Sequence, residues 1–264
     1  MSKEKNNDEA ESIREYWNEQ GNKYLASLEA TSPDPLAKEL ELDALKNVLD
    51  KSKDTLEAGC GNGYNLFSLS NSLNGKLVGF DYSDSLIKAA NRSLSANISL
   101  QKRLNFHNAS IIDNIDFLGN FQQIFTDRCL INLTSLDHQI LALNNLSSIL
   151  DVGGSLVLIE STQQGQAALN SMRMSVGLPE IPTRWHNLFI DENKFFQNIP
   201  SDLKHIKTEN FSSLYFFISR VLNAKLTPKG EDPDYMSEMN KLARLIPTFG
   251  DYSPLKLFQF EKIK

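Results

Sequence analysis

Apolar residues along this chain change rhythm several times, and each rhythm predicts an element. From Glu11 to Leu28, Ile13, Tyr16, Trp17, Tyr24 and Leu25 recur at helical spacing, with an interruption expected near Gly21. Ser32-Pro33-Asp34-Pro35 breaks the chain. Pro35 suits the start of a helix running to Leu49, with Leu36, Leu40, Leu42, Leu45, Val48 and Leu49 in an amphipathic stripe. Short apolar runs then alternate with helical stretches, which argues for βαβ units and a parallel sheet. Strands are expected at 54–58, 76–81, 104–107, 121–126 and 155–160. The helices between them span 63–73, a stretch capped by Ser83 and continuing through Leu94, and a run from a Thr134–Asp137 capping box to Leu150.

Past Glu160 the rhythm shifts. A helix is expected at 162–176, followed by an extended loop that Gly177-Leu178-Pro179-Glu180-Ile181-Pro182 imposes. A short helix at 191–198, a strand at 203–209, helices at 212–226 and 232–246, and a final strand at 255–260 complete the chain. Residues 1–10 read as a disordered tail, 11–50 as a helical lid, and 51–264 as the main domain, with cap segments at about 162–200 and 212–250.

Bulk properties narrow the partners. With 264 residues and 41% apolar content, the chain can bury a substantial core. A net charge of −6 speaks against a nucleic-acid surface. No apolar run approaches the roughly 20 residues of a membrane span, and the charged N-terminus lacks a signal core. Cys60 and Cys129 suggest neither a disulfide framework nor a metal cluster. The expectation is a soluble cytoplasmic enzyme without a metal, acting on a small molecule.

Thr55-Leu56-Glu57-Ala58-Gly59-Cys60-Gly61-Asn62-Gly63-Tyr64 is the densest signal in the sequence. A strand feeding a glycine turn and then a helix builds a nucleotide-sized crevice. Tyr64 stands where a dinucleotide fingerprint has its third glycine, which disfavours NAD, and no Gly-Lys-Ser/Thr follows, which excludes a P-loop.

Leu56–Gly63 resembles the first motif of class I S-adenosylmethionine (SAM)-dependent methyltransferases, and Gly79-Phe80-Asp81-Tyr82-Ser83 resembles the second. Ile149–Leu156, with Gly153-Gly154, is similar to their turn into strand 5, with Val152 where proline is usual. Thr126–Leu133 sits where their fourth motif lies. The resemblance covers about residues 40–160 and points to a bacterial small-molecule branch. It implies an α/β fold, with a Rossmann-like, mostly parallel sheet of about seven strands flanked by helices. The last strand would be antiparallel, with an N-terminal helical lid and a C-terminal helical insertion.

The resemblance also implies SAM as cofactor, held by Glu57, Gly59, Cys60, Gly61, Asn62, Gly63, Asp81, Tyr82, Ser110, Ile111 and Thr126. Glu57 would meet the methionyl ammonium and Asp81 the ribose hydroxyls. Ser110 stands where the family often has an acid for the adenine amino group.

The acceptor should sit beyond strands 4 and 5. That nominates Asp127, Arg128, Asn132 and Glu160, then Asn170 and Arg173 on one helix face, then Trp185, His186 and Asn187. His186, Arg128 and Glu160 are the catalytic candidates, His186 as general base because its ordinary pKa lies near neutrality. Each arginine equally suits an acidic acceptor or a structural ion pair. No Asn/Asp-Pro-Pro-Tyr/Phe follows strand 4 and no Pro-Cys pair occurs, so nucleic-acid methylation is not indicated. The reading is methyl transfer to an oxygen, or less readily a nitrogen, of a small polar metabolite such as a sugar or acidic intermediate. The alternatives are a SAM-binding scaffold without catalysis and, less favoured, an NAD-dependent oxidoreductase.

Overall fold

The computed structural model describes residues 2–264, with side chains from residue 8 onward. Its strands are β1 (Thr55–Ala58), β2 (Leu77–Asp81), β3 (Leu104–Asn108), β4 (Phe121–Asp127), β5 (Leu150–Ser161), β6 (Leu203–Glu209) and β7 (Leu255–Lys262). They form one sheet in the order β3-β2-β1-β4-β5-β7-β6. Only β7 runs against its neighbours, pairing antiparallel with both β5 and β6. The chain leaves β1 towards β2 and β3, then returns to place β4 on the other flank of β1. That reversal opens a crevice above the carboxyl ends of β1 and β4, where ligands of such sheets bind.

The helices are α1 (Ser2–Tyr24), α2 (Pro35–Val48), α3 (Tyr64–Leu69), α4 (Asp84–Ala96), α5 (Leu136–Ser148), α6 (Gln163–Ser175) and α7 (Glu192–Gln197). After them come α8 (Ser213–Phe217), a π-helical stretch Ile218–Asn223, α9 (Ala224–Leu226) and α10 (Glu238–Leu245). Alternate residues of a strand face opposite sides, so a sheet covered on both faces needs apolar residues at every position. In β5, Leu156 and Leu158 pack with α5 and α7, while Val157 and Ile159 pack with α2, α3 and α4. Among the described residues no helix is long and apolar enough to cross a membrane.

Several local expectations change. The first helix starts at Ser2, inside the stretch expected to be a tail, and passes through Gly21 without a break. Gly21 is there for helix contact, since a Cβ would stand 2.9 Å from the Leu86 amide nitrogen at the start of α4. The cap of α5 is Ser135, one residue later than the expected box, accepting from the His138 amide. α3 is only six residues long, and β5 begins at Leu150 because Leu150 already pairs with Phe121 before an irregularity in register.

Candidate functional site

The crevice opens into a cavity of about 1060 Å³ whose floor is the glycine turn after β1. Gly59, Gly61 and Gly63 all have positive φ, at +71°, +53° and +79°, a region that side chains with a Cβ rarely enter. Gly59 and Cys60 both donate to the Phe80 carbonyl at the end of β2, at 2.8 and 3.0 Å. The Gly61 amide donates to Asp81 Oδ2 at 2.9 Å, and the Ser83 amide donates to Asp81 Oδ1 at 2.8 Å. The Asp81 carboxylate is therefore held rigid at the cavity wall, each oxygen keeping acceptor capacity for a ligand. Burial pushes its pKa up, against those amide bonds.

Beside the turn lies Glu57, buried, with Oε1 accepting from Asn65 Nδ2 at 2.8 Å. Its Oε2 and the Asn65 Oδ1 have no partner. Burial pushes the Glu57 carboxyl well above its usual range. Two buried, unpaired acceptor oxygens next to a glycine cradle suit a cationic donor such as an amino acid ammonium. Tyr82, Ser110 and Ile111 line the far wall. Gly63 and Thr126 do not reach the cavity: Gly63 starts α3, and the Thr126 hydroxyl donates to Glu160 Oε1 at 2.8 Å. Asn62 lines the cavity but turns its amide to the carbonyls of Leu25 and Ser27, tying the end of α1 to the turn.

α1 roofs the cavity. On one side, the Asn18 side chain accepts from Ser83 Oγ at 2.8 Å. On the other, Trp17 Nε1 donates to Asn132 Oδ1 at 3.2 Å, and Tyr16 stacks on His186 with ring centroids 4.4 Å apart. Trp17 and Trp185 close the edges of the same imidazole. His186 lines the cavity with its Nδ1 unpartnered, and burial, then the charge of Arg184, lower its pKa to about 4. The imidazole is a stacking partner for the roof. Trp185 is exposed and lies outside the cavity wall.

Other sequence candidates separate in the same way. Asp127, Arg128, Asn132 and Asn187 line the cavity. Glu160 does not, because its carboxylate is taken by Thr126 and by the amides of Cys129, Leu130 and Ile131. It anchors the turn after β4, which corrects its catalytic assignment. Asn170 clamps both backbone groups of Ile181, and Arg173 donates to the carbonyls of Pro179 and Arg220. Both fix the loop after α6 and stand outside the cavity wall.

The other lobe of the cavity has residues that the periodicity did not single out. Lys38 and Glu41, on α2, are both nearly fully buried against Asp127 and Arg128. Asp34 holds Tyr215 Oη at 2.8 Å and Arg220 Nη2 at 2.6 Å, and Arg220 lies over the ring of Tyr235. Burial, opposed by Arg128, pushes Glu41 up to about 7, and the negative charge of Asp127 adds to the rise. Burial would raise Asp127 too, but Lys38 and Arg128 outweigh it and hold that carboxyl down. Arg128 adopts φ +55°, a strained backbone that places its guanidinium against α2.

The model of a methyltransferase domain family matches residues 49–208. Among solved structures, the N-methyltransferase NodS from Bradyrhizobium japonicum WM9, in complex with S-adenosyl-L-homocysteine, aligns with TM-score 0.58 at 13% identity, covering 94% of this chain and 99% of that one. A putative SAM-dependent methyltransferase from Listeria monocytogenes aligns at 0.54 and 13% identity, over 86% and 100% of the two chains. The [4+2]-cyclase SpnF aligns at 0.53 and 16% identity, over 85% and 80%. At these identities the likeness is one of fold, and that fold carries more than one chemistry. The sequence matches none of the curated proteins it was compared with.

Proposed function

This chain belongs to the methyltransferase domain family, and on that premise we propose that it moves the methyl group of SAM to an oxygen, or secondarily a nitrogen, of a small polar metabolite. The observation that carries the reading is the cavity floor: the positive-φ glycines Gly59 and Gly61, a fixed Asp81 carboxylate and the unpaired Glu57 Oε2 surround one space. Glu57 and Asn65 suit the methionyl ammonium, Asp81 the ribose hydroxyls, and Ser110 and Ile111 the adenine. Bound there, SAM supplies an electrophilic methyl group on a sulfonium. The protein's own work is to orient the acceptor against it, exclude water and receive the acceptor's proton. The second lobe, with Arg128, Gln166, Arg220 and Tyr235, supports a polar acceptor.

Calorimetry provides the direct test. S-adenosylhomocysteine (SAH) is expected to bind and NAD is not, and the opposite pattern would overturn the proposal. Release kinetics test the roof. The chain's two tryptophans, Trp17 and Trp185, both pack on His186, so their emission reports on the roof. His186→Ala removes a stacked pair worth about 0.5–1.5 kcal/mol, so SAH should leave roughly 3- to 10-fold faster in stopped-flow fluorescence. An unchanged release rate would show that the stack does not hold the roof closed.

A further inference from the structure

The wall where α2 meets the end of β4 gathers three carboxylates around two cations. Lys38 Nζ lies against Glu41 Oε2 and 2.5 Å from Asp127 Oδ2. Arg128 spans the same two acids, with Nη2 3.3 Å from Glu41 Oε2 and Nε 3.5 Å from Asp127 Oδ1. Asn65 Nδ2 extends the chain, 2.9 Å from Asp127 Oδ2 and 2.8 Å from Glu57 Oε1. Lys38, Glu41, Glu57 and Asp127 are each at least nine-tenths buried. Asp81 faces Glu57 from β2, and Glu160 faces Arg128 from β5. The other acids of α2 turn away, Glu39 and Asp43 pairing with Arg244 on α10. Asp34, before α2, is committed to Arg220 and Tyr215.

Glu41, Glu57 and Asp127 outnumber Lys38 and Arg128 by one charge, and the buried Asp81 and Glu160 beside them add to the negative excess, which a buried site does not tolerate. A proton on one carboxyl restores the balance, and so does a cation in the cavity, so the two compete. Asp127 has both cations and Asn65 on it, whereas both contacts of Glu41 fall on Oε2 and no protein donor meets its Oε1 among the described residues. Glu41 and Glu57, whose Oε2 is likewise unpartnered, are thus the members that can take up and lose a proton; both line the cavity, and of the two only Glu41 is ion-paired with the cations that hold Asp127.

We propose that Glu41, paired with Asp127 through Lys38 and Arg128, carries a proton in the free protein, gives it up when the sulfonium donor binds, and then receives the proton of the methyl acceptor. This rests on the methyltransferase reading. During transfer, the acceptor's lone pair forms the bond to the methyl carbon. The carbon–sulfur bond breaks with its electrons kept on sulfur, and the acceptor's proton passes to the Glu41 carboxylate. Donor binding therefore shifts the base towards its ionised form near neutral pH. α2 lies before the residues that match the family model, so the pair joins a group from the N-terminal segment to one from the sheet.

The comparison of SAM with SAH isolates the sulfonium, because both carry the same ammonium, carboxylate, ribose and adenine, and contributions from Glu57 cancel. Calorimetry in buffers of different ionisation enthalpy, at pH 6 to 8, should show SAM releasing more protons than SAH. The SAM-to-SAH affinity ratio should rise with pH, by about 5- to 10-fold across that window, since the ionised form binds the sulfonium better. Glu41→Gln should flatten the ratio and remove the extra proton while SAH still binds. A pH-independent ratio in the wild-type protein overturns the proposal without any variant, as does an extra proton that persists in Glu41→Gln. Absence of heat with either ligand overturns instead the methyltransferase reading on which it rests.

Discussion

Asp81→Ala is expected to weaken SAH binding about 100-fold or more while leaving the protein folded. The carboxylate is fixed by the Gly61 and Ser83 amides and faces the cavity, where it is set to accept from two ribose hydroxyls. A hydrogen bond to a charged group contributes about 1.5–3 kcal/mol, and each 1.4 kcal/mol is tenfold in affinity. Truncation also frees the Gly61 amide, so the turn loses one tie to β2 and keeps those of the Gly59 and Cys60 amides to Phe80. Asp81→Asn keeps one acceptor oxygen and should fall between wild type and alanine. Calorimetry gives the constants, and thermal melts show whether the fold survives. Affinity unchanged in the alanine variant would refute the ribose contact.

Glu160→Ala should be the most destabilising of the substitutions considered, by about 3–5 kcal/mol. Four donors converge on this carboxylate: the Thr126 hydroxyl and the amides of Cys129, Leu130 and Ile131. The residue is fully buried, and each donor left unpaired costs about 1–3 kcal/mol before water enters the vacated space. Glu160→Gln keeps one acceptor oxygen and should lose less, about 1–2 kcal/mol. Urea denaturation of both variants checks the order. A catalytic Glu160 predicts the reverse, a stable protein that binds donor and does not turn over.

The contrast between Asp81 and Glu160 shows how much of the site was legible. Asp81 ends a strand within the second motif, and its partners Gly61 and Ser83 lie in segments whose conformation the glycines and the helix cap dictate. Glu160 also ends a strand, and in sequence nothing separates an acid aimed at a ligand from one that anchors a neighbouring turn. His186 met the same difficulty. Its residue type suggests a base, but Tyr16, Trp17 and Trp185 remove it from water and leave it neutral. Asn170 and Arg173 do share a helix face, and they spend that shared face on the carbonyls of the loop that follows.

The strands, most helices, the glycine turn and the acid that ends β2 were fixed by the sequence alone, because their causes are local. A glycine's φ, a cap and a period of two or 3.6 depend on residues a few positions apart. Lys38 and Glu41 were invisible for the complementary reason. Charged residues at this spacing on an amphipathic helix read as a solvated face, and only packing α2 against the sheet buried them. The Lys38–Asp127 contact joins residues 89 positions apart. Which charges lose water, and which carboxylate must then hold a proton, depends on what packs across them, and that was decided only by the tertiary structure.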